Sequence, residues 1–396
     1  MTRYSNECPP HRVADESARQ PGKRARLAVV ACAALVLASC SPAVTNPATG
    51  NPGPGTPTPT GVEATAGPTP SLAPSGSPIP PTPIVTPEPT ALVPSASNPY
   101  PNGVLIADRG NGRLIVLNSA GRIVWQFPVA GSFPRPTPFN ADDAFFTPDG
   151  KSITANDEGR HVIYRIDVAT RKVVWSYGHL GVKGSAPGYL NTPDDAYGLP
   201  NGDIVVADIN NCRILQIAPD KRIVRQWGKT GVCRTDAPVT YGYPNGDTPL
   251  PDGGLLVTQI HGARVERLSA TGQVVWDIHV PIVYPSDAQL DSSGNVIVAG
   301  FTNPGAVVCV TPGGTLVWRY APTSGPGRLN HPSLAIPLGN GLVSINDDDR
   351  NRLVVLDTRT LKIVWQYGVT DRASAAAGSL SDPDGHEPVP ANVILP

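Results

Sequence analysis

One phrase written six times limits what this chain can fold into. GRIVWQF, residues 121–127, returns as RKVVWSY, RIVRQWG, GQVVWDI, GTLVWRY and LKIVWQY. Aligned on this phrase, the markers are Trp125, Trp175, Arg225, Trp276, Trp318 and Trp365, about 50, 50, 51, 42 and 47 residues apart. In the third copy Arg225 takes the tryptophan place, and Trp227 falls where Tyr177 and Tyr367 stand, so every tryptophan of the protein belongs to this one strand. Each repeat keeps one order: a Pro/Asp lead-in such as TPDDAYGLPNG, a run such as DIVVAD, a run such as CRILQIA, and then RIVRQW. Short Val/Ile-rich runs separated by Asn-Gly, Asp-Gly, Gly-Gly and Ala-Gly are strand and hairpin signals, and no helical periodicity competes with them. Repeats of this length with four antiparallel strands predict the blades of a propeller, and six lies inside the usual range. A blade is covered on both faces by its neighbours, which explains continuous apolar runs such as LIVL. The VW strand is then the outermost of each blade, its large ring filling the wedge that widens away from the axis. The lead-in WSYGHLGVKGSAPGYLNTPDDAYGLPNG is echoed at the C-terminus by WQYGVTDRASAAAGSLSDPDGHEPVPAN, while the first repeat lacks a lead-in strand. Residues near Asp384 to Asn392 are therefore expected to supply the innermost strand of the first blade and close the ring. The expected fold class is all-β, a six-bladed β-propeller of four-stranded antiparallel blades over residues 98–396, preceded by a disordered Pro/Thr-rich stalk.

The N-terminus has a different character. Lys23, Arg24 and Arg26 precede the 12 apolar residues LAVVACAALVLA. That run is short of the roughly 20 residues a membrane-spanning helix needs, and it predicts a cleaved signal peptide, residues 1–39. Leu37-Ala38-Ser39-Cys40 resembles the lipobox of bacterial lipoproteins. The resemblance implies that Cys40 is lipidated and becomes the mature N-terminus, a diacylglyceryl group plus an N-acyl chain giving the two hydrophobic signals that stable anchoring needs. The expected location is the cell membrane, lipid-anchored, on its extracytoplasmic face. Loss of residues 1–39 removes six basic and three acidic residues, moving the formal charge from -1 to -4. No basic face is implied, so nucleic acid is set aside as a partner.

From Cys40 to residue 97 the chain is almost uncharged, lacks aromatic residues and is dominated by Pro, Thr, Gly and Ser. Such a segment cannot bury a core; its prolines favour extended polyproline II, a semi-rigid spacer. Beyond it remain Cys212, Cys233 and Cys309. Cys212 falls at the turn between the second and third strands of the third repeat and Cys233 in the loop leaving its fourth strand, positions on one face of a blade. An oxidising compartment predicts a disulfide between them, with Cys309, in AVVCV, left as a buried small hydrophobe.

Ile106-Ala107-Asp108-Arg109-Gly110-Asn111-Gly112-Arg113-Leu114 and Val206-Ala207-Asp208-Ile209-Asn210-Asn211-Cys212-Arg213-Ile214 resemble NHL repeats, whose core is V-A-D-x-x-N-x-R-I, and the VW strands look like quinoprotein-like (PQQ-like) propeller repeats. The resemblance implies a propeller of six to eight blades, in families that include lyases, lactonases, sulfotransferases and binding modules; fold alone does not choose among them. The pairs Asp108/Arg113, Asp208/Arg213 and Asp347/Arg352, with Asn156/His161 and Gln259/Arg264 as variants, are expected to brace the hairpin. The inner strands carry Asp143, Asp195, Asp247, Asp287 and Asp384, with Ser333 in the sixth repeat. Carboxylates around one axis repel one another unless water, hydrogen bonds or a cation compensates. Two readings stay open: an oxygen-rich site that suits calcium in the central channel, or aspartates that cap their own loops.

Histidines raise an enzymatic alternative. His261 sits in QIHG, His331 precedes Pro332, and Gly385-His386-Glu387-Pro388 resembles the inner-strand start of arylsulfotransferase-like propellers, where a channel histidine takes the sulfuryl group and arginines hold its oxygens. The vicinal cysteine pair of quinoprotein dehydrogenases, a Ser-His-Asp hydrolase motif and a phosphate-cradling glycine loop are missing. The expected function is a membrane-anchored module that binds a protein or small molecule on the face holding the long loops, with an arylsulfotransferase-, lactonase- or lyase-like enzyme as the alternative.

Overall fold

The structure, a computed structural model, describes residues 98–133 and 139–396. The expected leader, Cys40 and the Pro/Thr-rich segment to residue 97 lie outside the described residues. The rest forms six antiparallel sheets arranged as blades. Strands Val104–Asp108, Arg113–Leu117 and Ile123–Phe127 form the first blade together with Pro383–Pro388, which pairs with Val104–Asp108 from the far end of the chain. The sixth lead-in thus closes the ring, over a shorter span than its sequence echo predicts.

The third blade, Pro193–Gly198, Ile204–Asp208, Arg213–Ile217 and Ile223–Trp227, shows how one repeat works. Its second strand is buried throughout, as the doubly covered position of a continuous apolar run requires. A three-residue 3-10 turn, Ile209–Asn211, joins the second and third strands and ends on Cys212 at φ 55. The same turn recurs at Arg109–Asn111, Glu158–Arg160 and Asp348–Arg350, each followed by one left-handed residue, Gly112, His161 or Asn351. That geometry is what the D-x-x-N-x-R spelling encodes. Asp208 accepts Arg213 Nε at 2.8 Å, Asn211 Nδ2 at 2.8 Å and the Asn191 backbone N–H at 2.7 Å. Asp108 and Asp347 repeat the arrangement, each taking its arginine and the backbone N–H of its loop, from Ser381 and Asn330.

Two variants differ from the expected braces. In the second blade the strand ends on Asp157, not Asn156; Val162 occupies the arginine place, and Arg160 Nη1 reaches Asp157 at 3.2 Å instead. In the fourth, Gln259 does stand opposite Arg264, but Gln259 bonds Glu266 while Arg264 pairs with Asp277. The fourth blade also has only three regular strands. Its inner segment, TYGYPNGDTPLP, contains prolines that lack ladder donors, and it keeps contact through bridges Pro244–Gln259 and Pro249–Leu255.

The outer strands hold neighbouring blades together. Trp125 Nε1 donates to the Val168 carbonyl and Trp175 Nε1 to the Pro219 carbonyl, both at 2.9 Å, in the last turn of the next blade. Arg225, the exception in the phrase, donates to the Ala270 carbonyl at 2.8 Å and so performs the same linking bond. Cys212 and Cys233 form the expected disulfide, Cα atoms 5.2 Å apart, and Cys309 is buried and free.

Candidate functional site: the acidic channel mouth

Register around the axis defines the site. Pro193 pairs with Asp208, Pro383 with Asp108 and Pro244 with Gln259, which puts Asp142, Asp194, Asn245, Ser286, Ser333 and Asp384 in one ring. One residue further in stand Asp143, Asp195, Gly246, Asp287, Leu334 and Gly385. Asp384 and Ser333 therefore belong to the outer ring, one step away from the aspartates with which the sequence grouped them. Register shifts between Asp194 and Tyr197 and between Pro285 and Ala288 mark irregularities, and consecutive residues of one inner strand line the channel together.

These rings line a cup that is partly open to solvent, with Arg109 and Glu158 from the turns and Tyr284 and Phe301 on the opposite side. Among the described residues that line it, seven are acidic and one, Arg109, is basic. Arg109 Nη1 lies 2.5 Å from Asp142 and also contacts Asp384, while Nε lies 3.9 Å from Asp382 and Nη2 4.0 Å from Glu158. The charge of Asp142 raises the Arg109 pKa against the opposing effect of its burial. Further in, Phe145 stacks on Tyr197 with ring centroids 3.8 Å apart, and Tyr197 lies within reach of Gln289.

The carboxylates fall into two groups. Asp287 is satisfied, its two oxygens accepting Thr248 Oγ1 at 2.9 Å and Gln289 Nε2 at 2.8 Å; burial still pushes it to about 6. Asp194 accepts Asn245 Nδ2, Asn156 Nδ2 at 3.3 Å and the Asp195 N–H at 3.2 Å. Burial holds Asp142, Asp143, Asp194 and Asp195 well above the usual carboxylate range; after burial, Asp195 acts on Asp143, Asp143 on Asp194, and Asp287 on Asp195. Asp195 Oδ2 is buried without a hydrogen-bond partner. Oxygens of Asp142, Asp143 and Asp194 all lie within 4.8 Å of one another, so these three can share a metal ion.

Asp247 is misplaced by the sequence reading. Gly246 holds its expected position, and Asp247 falls one residue later, where other blades carry Ala144, Ala196, Ala288 and Ala335. It is fully buried, neither oxygen has a hydrogen-bond partner, and burial pushes its carboxyl well up. Two inner-strand aspartates also accept backbone N–H groups of their own strands, Asp194 from Asp195 and Asp287 from Ala288, while Asp108, Asp208 and Asp347 hold the loops. Sequence reasoning missed Asp142 and Asp194, for which the doublets Asp142-Asp143 and Asp194-Asp195 were the available signal.

The three histidines do not converge. His386 lies in the middle of the closing strand, fully buried, between Ser344 Oγ at 2.6 Å from Nε2 and Asn346 Oδ1 at 3.2 Å from Nδ1. This resembles a serine–histidine–amide relay, but Tyr100 Oη closes off Ser344, and burial lowers the imidazole to about 3. It is a neutral polar seam between the first and sixth blades. His331 lies at the rim, 2.7 Å from Asp349 and against Phe301. His261 meets Tyr243 edge-on.

Fold and site define a closed six-bladed propeller with an acidic channel mouth. A family model described as outer membrane protein assembly factor BamB, built of PQQ-like repeats, matches residues 73–221 and 261–386, and the chain belongs to that family. Against curated proteins the chain has no match. Among solved structures, a protein of unknown function from Bacteroides caccae aligns at 18% identity and TM-score 0.52, covering 72% of this chain and 98% of that one. Virginiamycin B lyase from Staphylococcus aureus aligns at 18% identity and TM-score 0.47, covering 73% of this chain and 89% of the lyase.

Proposed function

We propose that this protein is a lipid-anchored, extracytoplasmic binding module that takes a cationic ligand at the acidic mouth of its propeller channel. The observation that carries the reading is the imbalance of the cup, with seven acidic side chains and one basic one around a single opening. Buried like charges raise the free energy of the empty site, and a cation that enters relieves it, so affinity is built into the fold. Arg109 neutralises only the side it touches, and among the described residues no other cation lines the cup beside Asp143 and Asp195. The anchor rests on the Leu37-Ala38-Ser39-Cys40 spelling, and a Pro-rich spacer after it would hold the propeller clear of the lipid surface.

Two measurements test this. Metabolic labelling with a palmitate analogue should mark the wild type and spare Cys40→Ala; an unlabelled wild type in a bacterial host with the lipidation pathway refutes the anchor. Thermal melting of the purified protein with calcium, magnesium, spermidine and a lysine-rich peptide should show stabilisation by at least one of them, lost in Asp143→Asn. Indifference to all four refutes the cationic ligand.

A further inference from the structure

We infer that the ligand is a single oxygen-coordinated divalent cation of calcium size, held by Asp142, Asp143 and Asp194 with Asp195 behind them. This rests on the cationic-ligand reading and narrows it. Ligand oxygens of these three carboxylates all lie within 4.8 Å of one another, close enough to surround one ion. A site built from several protein carboxylates suits calcium, which takes about six to eight oxygen ligands in flexible geometry, better than magnesium, which keeps several of its waters and binds through one or two carboxylates. The three carboxylates come from inner strands of two adjacent blades, which hold them together at one point.

A second observation is independent of the cluster. Asp195 is 3% exposed, lines the same cup, and has an Oδ2 that meets no N–H or O–H donor and faces the carboxyl of Asp287. A buried acceptor with no donor is costly, and a cation in the cup it lines lowers that cost. Asp194 shows the same tension, because three N–H donors address it as they would an ionised acceptor while the neighbouring carboxylate of Asp143 repels it. Room is reserved as well. A Cβ on Gly385 would stand 2.5 Å from Asp143 Oδ1, so a side chain there would displace the carboxylate from the cup.

The test is calorimetric titration of the purified full-length protein in detergent, after removal of metals by EDTA and dialysis, with calcium chloride, magnesium chloride and spermidine in separate runs. The wild type should bind one calcium per chain, and more tightly than magnesium. Asp143→Asn and Asp194→Asn should lose at least tenfold in calcium affinity, and Asp143→Asn should melt in EDTA no lower than the wild type, which separates ligand loss from misfolding. No calcium heat up to about 10 mM, ten times the weakest dissociation constants of extracellular calcium modules, overturns the inference. Spermidine binding in that event leaves the cationic-ligand reading standing, and silence from all three titrants overturns both.

Discussion

Replacing Arg352 by methionine separates a structural brace from a functional ring. The Arg352 and Asp347 side chains are both 0% exposed, and Nε donates to Oδ2 at 2.7 Å. The other guanidinium nitrogens reach Gln366, Thr370 and the Arg328 carbonyl. Methionine keeps the apolar stem and removes the charge, stranding Asp347 with the Asn330 N–H as its remaining donor. Breaking a buried pair by deleting one partner costs about 3–5 kcal/mol, because the other charge is left without compensation. The Arg328 carbonyl keeps Arg350 Nη1 at 2.6 Å, so it adds little to that figure. At roughly 2–3 °C per kcal/mol for a domain of this size, the melting temperature should fall by about 6–15 °C. Asp347→Asn in the same background should recover part of the loss, with a coupling energy of roughly 2–3 kcal/mol between the two positions. Urea denaturation followed by tryptophan fluorescence measures all three variants. A loss below about 1 kcal/mol for Arg352→Met, or a change in calcium affinity with unchanged stability, would refute the brace and return these pairs to the list of ligand-binding candidates.

Three further outcomes follow from the same structure. Cys212→Ser with Cys233→Ser should lower stability by about 3 kcal/mol, the chain-entropy value for a closed loop of this size, and a non-reduced digest of the wild type should contain the two peptides joined. Trp125→Ala should cost about 3–5 kcal/mol, from a large side chain that is 1% exposed, and Trp125→Phe about 1–2 kcal/mol through loss of the bond to Val168. Glu266 is fully buried and pushed up to about 8, mainly by burial, so it is protonated in the folded protein at neutral pH. A raised carboxyl pKa contributes stability that is complete below the unfolded value and lost as pH rises through the folded one. At about 1.4 kcal/mol per pH unit the decline between pH 4.5 and 8 totals roughly 4 kcal/mol, and Glu266→Gln should remove that contribution in melts across the range; an unchanged slope would show that Glu266 is not the group that titrates.

The fold was legible because repetition carries it. Six copies of one strand, a constant order inside each repeat and an orphan lead-in at the C-terminus left few architectures open, and the closing strand Pro383–Pro388 is where that logic places it, within a few residues. The site was legible only in kind. Choosing one aspartate per repeat found Asp143, Asp195 and Asp287 but slipped a residue at Asp384 and at Asp247. The slip has a local cause: irregular inner strands and the Pro-rich fourth lead-in break the period of two on which register by eye depends. Arg109 and Glu158 were beyond reach for another reason. They project from turns of different blades, and only the closed ring brings those turns over one opening. His386 shows the converse, a motif resemblance at a position the fold seals completely.

Tyrosine-sensitised terbium luminescence tests most directly the claim that the channel mouth is a cation site, because terbium substitutes for calcium at oxygen sites and Tyr284 lines the same cup. Excitation of the purified wild-type protein with added terbium should give lanthanide emission that calcium displaces, and Asp143→Asn should abolish it. Emission that is absent from the wild type, or that survives unchanged in Asp143→Asn, would contradict the account.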